Sequence, residues 1–167
     1  MTCLVLAKKE KEMTILQSSK SKLDFRVLTL ATILLIALIV PMNYVHEIGH
    51  GIICTLEGNQ FQIHIGVDNS TLICIGGAQN TELFFVFGGL FASLVCAIPL
   101  IKYSWLKKYP WIIIPILTLS IGHGINAIIE VSLTDWYMQN GVMPEITLGM
   151  ISLMCYFGVL IYFGRTK

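Results

Sequence analysis

Apolar residues occupy this chain in long blocks. From Val27 the sequence carries no charge until His46 and stays mainly apolar to about Leu56; further blocks run from Glu82 to Ile101, from Trp111 to about Ser132, and from Ile146 to Phe163. About 20 residues of helix cross the roughly 30 Å hydrocarbon layer of a bilayer, so each block reads as a span. The expected fold class is an all-α polytopic membrane protein with four transmembrane helices. Between the first two blocks the period changes. Phe61, Ile63, Ile65 and Val67 alternate with Gln60, Gln62, His64 and Gly66; Asp68-Asn69-Ser70 reads as a turn, and Thr71 to Ile75 as a second strand ending at Gly76-Gly77. This predicts a β-hairpin over about residues 60–75. Lipid does not tolerate open sheet edges, so the hairpin belongs at the membrane surface or in a protein-lined cavity. His64, on its polar face, reads as a surface or cavity histidine.

Composition removes the soluble alternative. Of 167 residues, 55% are hydrophobic and 13% charged, with a mean hydropathy of +0.75, which no soluble domain of this size matches. The lipid bilayer is thus the first partner. A net charge of +1 without an aromatic-interleaved basic patch gives no reason to expect nucleic acid. Six of the 11 Lys and Arg residues precede the first span; Lys102, Lys107 and Lys108 lie between spans two and three, and Arg165 and Lys167 follow span four. The connections 57–81 and 133–145 carry none. By the positive-inside rule both termini and the middle loop are cytoplasmic, which makes residues 1–26 a cytoplasmic tail and 27–167 the membrane domain. Cys54 and Cys74 then fall near the same, outer side, where a disulfide and two ordinary buried thiols both remain open.

The candidate chemistry lies near the end of the first span, at His46-Glu47-Ile48-Gly49-His50. On a helix, histidines four apart share a face and both can ligate one metal ion, with Glu47 in reach of a water in the open position. Ionisable side chains inside a membrane helix cost roughly 2.5–3.5 kcal/mol each at the centre, so three within five residues argue for a site. Zinc is the expected ion, His46 and His50 its ligands, and Glu47 the base. The motif begins roughly 28 Å along the helix, close to the outer edge of the hydrocarbon, and Pro41 predicts a kink just before it. Gly88-Gly89, Ala92-Ser93 and Ala97 give span two a small-residue face suited to close packing against the motif helix. A third ligand is needed. His123, Asn126 and Glu130 share one face of span three, and Glu130, counted from the start of its span, lies level with His46.

The first motif, the Gly58 loop, the hairpin and the Gly88-Gly89 helix together resemble the site-2 protease family of intramembrane zinc metalloproteases. Asn126-Ala-Ile-Ile-Glu-Val-Ser-Leu-Thr-Asp135-Trp136 is similar to that family's second motif, Asn-x-x-Pro-x-x-x-Leu-Asp-Gly, with Ile129 for the proline, Trp136 for the glycine and Thr134 as an extra residue. The resemblance covers about residues 40–136. It implies Asp135 as the third ligand, with Glu130 as the alternative, and Asn126 as a residue that holds the substrate backbone. It also implies a metal site towards the cytoplasm, whereas the lysines put this one towards the outer face. The activity it implies is zinc-dependent cleavage of a membrane protein substrate. The alternative is a non-proteolytic, protease-like subunit of a larger membrane complex. A transporter is disfavoured, because the charged residues gather near one side instead of forming a path across the bilayer.

Overall fold

A computed structural model describes residues 25–65, 70–139 and 143–165. The expected tail, up to residue 24, and the expected turn at Asp68-Asn69 lie outside the described residues. Helix α1 spans Phe25–Leu56 and runs unbroken through Pro41. A hairpin follows, with β1 at Gln60–Ile65 and β2 at Ser70–Ile75. Helix α2 covers Thr81–Lys102, a 3-10 turn covers Ser104–Lys108, and α3 covers Pro110–Ser132. A short helix α4, Thr134–Gln139, and α5, Met143–Arg165, complete the chain. Helices α1, α2 and α3 are each long and apolar enough to cross a membrane. The fourth expected span falls in α5, whose apolar stretch, Gly149–Phe163, is shorter than those three.

The burial pattern is inside-out relative to a water-soluble bundle. Ile33, Ile36, Leu94, Ile98, Ile128 and Met154 are all more than half exposed, while His46, Glu47, His50, Thr118 and Glu130 are buried. Large aliphatic side chains on the outside suit lipid, and polar groups turn inwards because hydrocarbon offers them no partner. Several hydroxyls in the helices are satisfied by the preceding turn. Thr29, Thr32 and Thr118 each donate to the carbonyl one turn earlier, at 2.8–2.9 Å, and Thr32 also meets the Tyr156 hydroxyl at 2.7 Å.

Close helix packing follows from the absence of side chains. A Cβ added at Gly49 would lie 2.8 Å from the Gly88 Cα. One added at Gly89 would lie 2.5 Å from the His123 carbonyl oxygen and 2.7 Å from the Ala127 nitrogen. The Gly88-Gly89 pair therefore lets α2 press its two neighbours at once, α1 on one side and α3 on the other, as the small-residue face predicts. Towards the start of α1, Ala31, Ile114, Tyr156, Val159 and Leu160 form a core that joins α1, α3 and α5. Farther along α1, Met42 packs with Ala92 and Cys96 of α2. The histidine motif comes next, beside the hairpin.

The hairpin is antiparallel, with Phe61 opposite Cys74 and Ile63 opposite Leu72. Those residues share one face, and that face lies on α1: a Cβ at Gly51 would sit 3.0 Å from Phe61 and 3.1 Å from Leu72. A disulfide joins Cys54 of α1 to Cys74 of β2, deciding between the two readings left open above. Gly58, at φ +81°, ends α1 in a backbone conformation that favours glycine. Next to it, the Glu57 carboxylate accepts from the backbone nitrogens of Gln79 and Asn80 at 2.7 and 2.8 Å. The end of α1 and the start of α2 are thereby clamped together. Asn80 then caps α2 by accepting from the Leu83 nitrogen at 2.9 Å.

Candidate metal centre

Helix α1 brings His46 and His50 to one face, one turn apart, and places their Nε2 atoms 3.0 Å from each other. Opposite them, α3 presents Glu130. Its Oε1 lies 3.2 Å from His46 Nε2 and its Oε2 lies 3.8 Å from His50 Nε2. These three buried side chains form the group, among the described residues, that could hold a metal ion. Two histidines and one carboxylate make a donor set suited to several first-row divalent ions. Their separations also fit: with bonds of about 2.0–2.1 Å, a tetrahedral ion holds its ligands about 3.3 Å apart.

The hydrogen bonds around the group aim its lone pairs at the centre. His50 Nδ1 lies 2.6 Å from the Phe84 carbonyl oxygen. That oxygen can only accept, so Nδ1 carries the proton and Nε2 is left as a lone pair. Asn126 donates through Nδ2 to Glu130 Oε1 at 3.1 Å and so orients the carboxylate. Glu130 Oε2 and His46 Nδ1 are buried without a hydrogen-bond partner among the described residues, and an oxygen left unpaired at this depth calls for a cation. With His50 Nε2 and Glu130 both acceptors, the group needs positive charge at its centre, from a proton on His46 Nε2 or from a metal ion. Glu47 is buried on the same helix turn, facing the Leu72 backbone of β2.

Three of the residues singled out from the sequence thus meet a fourth, Glu130. Asp135 does not join them. Helix α3 ends at Ser132 and the chain restarts in α4, where Asp135 is exposed in the first turn. Glu130, level with His46 by residue count, is the carboxylate that completes the cluster. Asn126 is placed against that carboxylate, a positioning contact that its spacing of four from Glu130 permits. His64 is exposed on β1. His123 is half-buried with its ring 5.4 Å from that of His46, so it belongs to the site's surroundings. The Phe84 carbonyl and the Leu72 backbone carry no sequence signal, because any residue supplies those atoms. No protein-family model, curated protein or solved structure matches the chain.

Proposed function

We propose that the chain is an intramembrane zinc metalloendopeptidase that cleaves a membrane-associated protein. The observation that carries this reading is the convergence of His46, His50 and Glu130 from two helices, with Glu47 between the histidines. In this reading the three converging side chains hold zinc, and Asp135 lies outside the ligand set. Bound there, zinc would acidify a water and polarise a peptide carbonyl. Glu47 takes a proton from the attacking water at its carboxylate and delivers it to the leaving amine nitrogen as the C–N bond breaks. Asn126 keeps Glu130 in register through Nδ2. Its Oδ1 has no partner among the described residues and is the acceptor offered to a substrate N–H.

The same proposal takes α5 as a fourth span, both termini as cytoplasmic and the metal centre as facing outwards. The lysine distribution supports this orientation, and the Cys54–Cys74 disulfide supports it independently, since disulfides persist on the oxidising side of a membrane.

The test is the Glu47→Gln variant in liposomes, loaded with zinc and offered a quenched fluorescent transmembrane peptide. It should bind zinc as the wild type does while turnover falls by about 10²–10⁴-fold, the usual share of a general acid–base group. Equal turnover by the variant would sink the proposal. An inactive wild type that co-purifies with another membrane protein at fixed stoichiometry, and is indifferent to Glu47→Gln, would instead identify an accessory subunit.

A further inference from the structure

The centre is covered. His46, Glu47, His50 and Glu130 are only 5%, 7%, 6% and 3% exposed, yet hydrolysis requires a peptide backbone to reach them. Cover comes from two sides. From α2, the Phe84 ring stacks on His50 with centroids 4.8 Å apart. From the hairpin, Phe61 and Leu72 lie over Gly51, and the Leu72 backbone faces the Glu47 carboxylate. A substrate backbone would have to enter beneath the hairpin before Glu47 could act.

What holds the hairpin in place is equally specific. Two strands alone are marginally stable, so their position depends on ties to the helices. Cys54 lies one turn beyond His50, on the stripe that carries both histidines, and its disulfide partner Cys74 is the cross-strand neighbour of Phe61. The bond thus fixes the strand pair that covers Gly51. Just outside that pair, at the base of the hairpin, Asn59 donates to the Gly77 carbonyl at 2.9 Å. Gly58, Gly76 and Gly77, all at positive φ, flank the strands there. This is the geometry of a flap held at its base by the Glu57 clamp and latched to α1 there by a covalent bond, in the second of its six residue pairs.

We propose that the hairpin is a disulfide-latched cap: with Cys54 and Cys74 joined the centre is closed, and reduction of that bond opens it to a peptide backbone. The consequence for catalysis rests on the protease reading, whereas the cap itself does not. The opening step is thiol–disulfide exchange with a dithiol. Two electrons pass to the Cys54–Cys74 bond, each sulfur ends as a thiol with one proton, and the dithiol leaves as its own disulfide.

The experiment uses full-length, metal-free protein in lipid nanodiscs and measures carbethoxylation of each histidine by diethyl pyrocarbonate, read by peptide mass spectrometry. Wild type is compared with a Cys54→Ser/Cys74→Ser double variant and with wild type reduced by a water-soluble phosphine, which is oxidised to its phosphine oxide by way of water. His46 and His50 should react roughly tenfold faster or more in both open forms, as expected when local opening limits access. Exposed His64 serves as the internal reference and should not change. Leu72→Ala, with the disulfide intact, should give a smaller rise. Equal rates at His46 and His50 in the latched and unlatched forms would overturn the cap. So would a rise accompanied by lost amide protection across Ile113 to Thr118 in α3, because that would mark general loosening. Zinc titration of both forms separates the two readings: unequal histidine rates without zinc binding would uphold the cap and remove the metal centre.

Discussion

Glu130 has the company expected of a ligand: Asn126 holds one carboxylate oxygen, the two histidines face both, and the second oxygen lacks a hydrogen-bond partner among the described residues. Metal titration of single variants tests this residue by residue. Glu130→Gln removes a ligand and should lower affinity more than Asn126→Ala, which removes its support and should cost roughly 10–100-fold. Asp135→Asn should leave affinity unchanged, and a large loss there would move the third ligand back to Asp135. His46, Glu47 and His50 were legible because a one-turn spacing on a helix fixes a shared face. Glu130 was legible by depth, since parallel spans bring equal residue counts to equal heights. The resemblance pointed to Asp135 instead; α3 stops at Ser132, and Asp135 lies on the far side of a break that residue spacing does not reveal.

Among the elements, α2 sets the tolerance of the centre. A Cβ at Gly88 would run into the His50 ring, so Gly88→Ala should displace His50 and cost about 1–3 kcal/mol through overpacking. Thermal unfolding in detergent measures the cost, and zinc titration should show the accompanying loss of affinity. Gly149→Ala and Gly158→Ala are the controls in α5, where an added Cβ meets nothing; both should be neutral or slightly stabilising. Long apolar blocks and the period-two stretch made the helices and hairpin readable in advance. The face by which the hairpin meets α1, and the pairing of Cys54 with Cys74, were not. Both depend on which of several apolar surfaces docks, a long-range choice that local periodicity does not encode.

For the whole molecule, the proposed orientation rests on two independent features, lysines at one set of helix connections and a disulfide at the other. A cysteine introduced at Ser104 should resist a membrane-impermeant maleimide applied to intact cells, while one introduced at Gln79 should be labelled; the reverse pattern would invert the topology. The centre itself draws on α1, the hairpin, α2 and α3. Helix α5 supplies none of the groups described there. It docks through the Ala31–Ile114–Tyr156 core and the Thr32–Tyr156 hydroxyl pair, towards the opposite end of α1. The chemistry and this lateral attachment are therefore separable: the surface where α5 joins the bundle can be redesigned to change which neighbours the molecule keeps in the membrane, without altering a single atom that faces the reactive group.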